Sequence, residues 1–138
     1  MPVLAATSGE FEARLREHCA SATSKFHQLL QLAAFWNPAA MLYVDPDSGS
    51  ILPTSANDIV ARSHSCMFDE WLSLPLRQQF TEFAAYLATL SAEGRQTFLR
   101  LLSHPSALDS LVPPLVSFEA RMLFTSDLNV LAAMVADT

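Results

Sequence analysis

The sequence predicts a mainly α-helical fold: one compact domain over residues 1–138, with five to six helices and one short β-hairpin between the first and second. Three observations carry that prediction. Apolar residues recur at three- and four-residue steps through most of the chain, the period of an amphipathic helix. One stretch alone sets β-branched and aromatic residues on both sides of a turn. Eight prolines and three glycines supply stops, without any Gly/Ser-rich linker to divide the chain.

The first helix is expected to begin at Ser8, with Glu10 and Glu12 in its first turn to suit the helix dipole; residues 1–7 read as a flexible N-terminus. Its apolar stripe is Phe11, Leu15, Cys19, Ala22, Phe26, Leu29 and Ala33, and Asn37-Pro38 ends it. Met41–Val44 and Ser50–Pro53 flank Asp45-Pro46-Asp47-Ser48-Gly49, a turn in which Gly49 takes the left-handed conformation. This is the expected hairpin.

The second helix starts after Thr54 or Ser55 and stops before Pro75. Ser73 is the expected cap of the third, whose seam is Leu76, Phe80, Phe83, Leu87 and Leu90. Ser91 caps a fourth, carrying Phe98, Leu101 and Leu102 and stopped by His104-Pro105. A turn or two follows over Ser106–Leu111. Pro113-Pro114 opens the last segment, with Phe118, Met122 and Leu123, and Thr125-Ser126-Asp127 recaps it before Leu128, Leu131, Ala132 and Val135.

Composition narrows the function. Net charge is −6, and the eight cations are spread singly, so the basic cluster that binds a phosphate backbone is missing; a nucleic-acid partner is not expected. The acidic excess is equally too dispersed for a DNA mimic. No apolar run reaches the 18 residues of a membrane span, and Met1–Ala6 lacks the basic start of a signal peptide. Two cysteines make no disulfide framework, which suggests reduced thiols and a cytoplasmic protein. Seven arginines to one lysine point to a GC-rich bacterial or phage coding sequence.

Chemistry finds little footing. His18, Cys19, His27, His64, Cys66 and His104 are potential metal ligands, but none stands at a zinc-site spacing, and no metal or other cofactor is expected. Asp45 and Asp47 suggest a calcium loop, yet from Asp45 the sixth position is Ser50 and the twelfth Ala56, where the loop needs Gly and Glu. Cys66 has Arg62 one turn earlier, where a guanidinium would stabilise a thiolate. His64 lies two residues away, about 200° around a helix. No Gly-x-Ser-x-Gly elbow or glycine-rich phosphate loop occurs, so no catalytic residue is assigned.

The expectation is therefore a non-catalytic protein-binding module of the adaptor, chaperone or inhibitor type, whose partner is another protein, itself as a homodimer, or both. Charged residues make 16% of the chain, against about 25% in an ordinary soluble domain, and the deficit suits a surface left apolar. Phe68, Trp71 and Leu72 share one face of the second helix, Tyr43 and Ile51 lie in the hairpin, and Val130 and Met134 make the last helix apolar on more than one side. Each group also reads as core of this chain; it is their combination with low charge that favours a partner. The alternatives are a helical regulator binding a small apolar molecule and a cysteine-dependent enzyme at Cys66.

Overall fold

The structure is a computed structural model that describes residues 13, 15–17, 19, 20, 22–45 and 48–137. Among them, the helical residues 13, 15–17, 19 and 20 are followed by α1 (Lys25–Ala33), β1 (Trp36–Asn37), β2 (Leu42–Tyr43), α2 (Thr54–Ser73), α3 (Leu76–Leu87), α4 (Ala92–Leu101), α5 (Pro105–Asp109) and α6 (Phe118–Ala136). The mainly helical fold with a hairpin after the first helices is as the periodicity predicts. Ser8, Glu10, Phe11 and Glu12 lie outside the described residues.

The expected first helix is not continuous: Ala22, Thr23 and Ser24 leave the helical conformation, and α1 starts afresh at Lys25. Side chains take up the N–H groups that such a break frees. Ser24 Oγ accepts from the His27 N–H, and Thr23 N–H donates to His27 Nδ1. The Lys25 N–H donates to Glu82 Oε2 of α3 at 2.8 Å, and the Lys25 ammonium pairs with Glu70 of α2. Periodicity carries no trace of these tertiary caps. The stripe itself survives, with Leu15, Cys19, Phe26, Leu29 and Ala33 all buried.

α1 ends at Ala33, earlier than Asn37-Pro38, because Trp36–Asn37 pairs antiparallel with Leu42–Tyr43, Trp36 opposite Tyr43. The turn between them is held by Asn37 Oδ1, which accepts from Ala39 and Ala40 N–H. The expected hairpin is the second half of this meander: Val44 bridges Ile51, Asp45 N–H donates to the Ser50 carbonyl, and Gly49 has φ +72°. Pro46 and Asp47 lie outside the described residues. One side chain from the first turn of α2 fastens both arms. Asn57 Oδ1 accepts from the Tyr43 N–H at 2.7 Å, and Asn57 Nδ2 donates to the Leu52 carbonyl at 2.7 Å.

α2 keeps its predicted length and stop, but Ser73 stays in its last turn, donating to the Glu70 carbonyl, and Pro75 stands at the head of α3. Ser91 caps α4 as predicted, accepting from the Gly94 N–H. The recapping expected at Thr125–Asp127 does not occur. α6 runs unbroken for 19 residues from a Ser117 cap, and Thr125 Oγ1 donates back to the Arg121 carbonyl.

The main core joins α1, α2, α3 and α6, closed at one end by Leu102, Leu108 and Val112. Phe26 stands at its centre, with ring centroids 5.1 Å from both Trp71 and Phe83, 5.6 Å from Tyr86 and 6.1 Å from Phe98. A second cluster, including Leu32, Tyr43, Leu52 and Val60, packs the meander against α1 and α2. Phe26→Ala should therefore lower unfolding free energy by about 3–5 kcal/mol in urea titration, the cost of a large aromatic cavity. The half-exposed Leu101→Ala serves as control and should shift it by only about 0.5 kcal/mol.

Candidate functional site

The most unusual feature of the molecule is α6. Its sequence, Phe118–Ala136, carries only three charged residues, Glu119, Arg121 and Asp127. One face is core: Phe124, Leu128 and Leu131 are buried, and Phe124 packs on Phe68 with centroids 4.6 Å apart. Two polar contacts set its rotation. Gln79 of α3, itself buried, donates from Nε2 to Asp127 Oδ2 and to the Trp71 carbonyl, each at 3.0 Å. On the flank, Arg121 pairs with Asp109 at 3.0 Å.

With Asp127 turned inward, the opposite face points to solvent, and its large side chains are apolar, with Glu119, Ser126 and Asn129 exposed among them. Phe118 is 71% exposed, Met122 54%, Leu123 48% and Val130 41%, and Leu115 just before the helix is 63% exposed. At about 100° per residue, Phe118, Met122, Ser126, Val130 and Leu123 fall within an arc of about 140°. Together the five exposed side chains present on the order of 500 Å², within the range of the largest apolar patch on an ordinary monomer. A helix that is apolar all round is ordinarily buried all round.

The other predicted anchors are distributed differently. Phe68 and Trp71 are core residues, covered by Phe124 of α6 and Phe26 of α1, and Leu72 is half-buried against the same core; the expected docking face on α2 is thus an internal one. Tyr43 is buried beneath the meander. Met134 is half-buried against the main core, at the edge of the exposed stripe. Ile51 and Val130 are exposed. Near Ile51 in the meander, Met41 and Leu42 are exposed as well, and Met41 has φ +53°, a left-handed conformation that costs a non-glycine residue roughly 1 kcal/mol. Sequence reasoning missed Leu115, Phe118, Met122 and Leu123 as surface anchors because the spacing reads equally well as core; the excess of apolar residues over one stripe was the available signal.

Among the described residues, the candidate polar groups are dispersed apart from one buried pair. His64 is fully buried, and its Nδ1 lies 3.1 Å from Tyr43 Oη. Burial drives the imidazole pKa down to about 4 and the Tyr43 phenol up, so at neutral pH both groups are uncharged and share one hydrogen bond. The Leu111 backbone offsets part of the burial effect without making a well-aligned hydrogen bond to Nε2. Cys66 is exposed, so it and His64 do not share a face, and Arg62 Nε donates to the Asp58 carbonyl of its own helix. Burial raises the thiol pKa of Cys19. His27 bonds within its own helix to Gln31, His104 stands at the head of α5, and His18 lies outside the described residues. Among the described residues, no three His, Cys, Asp or Glu side chains are grouped to hold a metal ion, and no helix is long and apolar enough to cross a membrane.

A groove of about 460 Å³ lies between α3 and α4, lined by Tyr86, Leu90, Phe98 and Leu101. It is open to solvent, and its one charged neighbour, Glu93, is exposed, so it lacks the convergent buried polar groups that orient a small ligand. The chain matches no protein-family model, and no curated protein or solved structure shows significant similarity to it.

The Tyr43–His64 pair makes a pH prediction. The folded-state pKa of His64 is below its ordinary value of 6.5, so as pH falls the unfolded chain takes the proton first. Stability from this group is complete above pH 6.5 and is lost as pH falls towards about 4, by roughly 3 kcal/mol in all. Urea titrations of wild type and His64→Asn across that window should differ in slope by this amount; parallel curves would show that His64 does not carry the loss.

Proposed function

We propose that this protein is a non-catalytic binding module of the adaptor, chaperone or inhibitor type, which holds another polypeptide against the outer face of α6. The observation that carries the reading is the second apolar stripe of α6, exposed on a helix whose first stripe already fills the core. That stripe lies outside the core, which Phe124, Leu128 and Leu131 of α6 fill from the other side. A single exposed leucine needs no explanation, but Phe118, Met122, Leu123 and Val130 on one side of a helix, with Leu115 just before it, do.

The chemistry of the face describes its partner. Glu119 is the one charged side chain of α6 within the arc that holds these residues, so charge does not hold the partner there. The complementary surface is apolar, and an amphipathic helix laid along α6 fits it best, reading anchors at steps of three and four. At on the order of 500 Å², the patch is smaller than the roughly 800 Å² per partner of a standard interface, which suits weak, micromolar association. Met41, Leu42 and Ile51 supply a second, smaller apolar contact on the meander. Both cysteines are free thiols, in keeping with a reducing, cytoplasmic setting.

The test replaces Met122 with photo-crosslinking benzoylphenylalanine and, as control, does the same at the exposed Arg95. Irradiation in cells that encode the protein should give polypeptide adducts from position 122 and few from 95. Val130→Glu should abolish them while circular dichroism stays unchanged. Adducts that ignore Val130→Glu, or that form equally from position 95, would remove the outer face of α6 as the binding surface.

A further inference from the structure

We infer that the polypeptide occupying this face is a second copy of the same chain, crossing α6 in antiparallel sense on a two-fold axis through Ser126. The inference rests on the reading of α6 as a binding face and adds the identity and geometry of its occupant.

A two-fold interface must be self-complementary: whatever stands a given distance before the axis must suit what stands the same distance after it. One row of α6 has that property around its centre, although its far end, Met134, is half-buried against the core and Leu123 on the neighbouring row stands opposite the exposed Asn129. Taking Ser126 as origin, Phe118 and Met122 lie eight and four residues before it, and Val130 and Met134 four and eight after it. Every position on this row is apolar except the central serine. The row follows the i±4 ridge of a helix, the ridge that interdigitates in the commonest class of helix–helix crossing. Where two such ridges cross, the residue at the crossing must be small, and Ser126 is small and exposed. Met122 of each copy then meets the partner's Val130, and Phe118 lies level with Met134 at the far end.

Charge selects the sense of the pairing. Glu119 lies within the exposed arc. A parallel pair would set the two Glu119 carboxylates at one level, beside a Phe118–Phe118 contact. The antiparallel pair places them about 20 Å apart along the helix axis, given a rise of 1.5 Å per residue. That separation is well beyond the screening length of about 8 Å at physiological salt. Two faces of on the order of 500 Å² bury at most roughly 1,000 Å² in total, the low end of specific interfaces, so the dimer is a weak, reversible one.

The experiment uses the full chain with Cys66→Ser, so that the exposed native thiol is removed and the other, Cys19, is buried. Mass measurement across micromolar concentrations should show a reversible dimer, and Met122→Glu should weaken its dissociation constant by about tenfold or more. Ser126→Cys should give a covalent dimer on mild oxidation, whereas Phe118→Cys, far from its own symmetry mate, should not. A dimer that crosslinks through position 118, or one that Met122→Glu leaves intact, overturns the arrangement. A monomer at every concentration overturns the second copy as occupant. If a monomer still yields a Met122 photo-adduct with a different protein in cells, the binding face stands and only the identity of its occupant falls.

Discussion

The structure depends on one ring. Phe26 is fully buried and meets Trp71 of α2, Phe83 and Tyr86 of α3, and Phe98 of α4, in edge-to-face or tilted geometries. Contacts of this kind add roughly 0.5–1.5 kcal/mol each beyond simple burial. To deliver Phe26 there, α1 must enter the core beside the C-terminal half of α3, where Glu82, Phe83 and Tyr86 meet it, and the chain breaks before Lys25 to allow it. The break is affordable because Ser24, His27 and Glu82 take up N–H groups around it. Removal of the ring would therefore loosen four helices at once.

A second constraint follows from the first. Trp71, held by Phe26, offers its backbone carbonyl to the Gln79 amide, whose other N–H meets Asp127. A buried amide is costly unless bonded, so Gln79 ties the end of α2, the start of α3 and the middle of α6 into one arrangement. α6 cannot roll about its axis without stranding that amide. The outward direction of Phe118, Met122 and Val130 is thus fixed by a polar contact on the far side of the helix.

This explains what was legible in the sequence and what was not. Helix positions and most stops followed from period and proline, as α2 and α4 show, since both signals are local. Burial of Leu15, Phe26 and Leu29 was legible for the same reason. The break at residues 22–24 was not, because its decisive partner, Glu82, is 57 residues from Lys25. Nor was the pairing of Trp36 with Tyr43, which wins over helix continuation only because Asn57 of α2 fastens the meander from below. At the candidate site the difficulty was different. Phe68 and Val130 carry the same kind of signal, an apolar residue at helical spacing. Only the packing of Phe124 over Phe68 assigns one to the core and leaves the other in water.

The low charge of the chain had two explanations, a dense core and an uncovered surface, and the structure divides it between them. Phe68 and Trp71 belong to the first; Leu115, Phe118, Met122, Leu123 and Val130 belong to the second. A helix on the outside of a bundle needs one apolar stripe to dock and a polar face to meet solvent. Where α6 would be expected to carry lysines and glutamates it carries a phenylalanine, a methionine, a leucine and a valine. Local propensity does not demand them, because exposed helix positions accept charged residues at little cost. A surface of this composition is a liability for solubility unless it is covered, and that cost is the physical ground on which the proposed binding face rests.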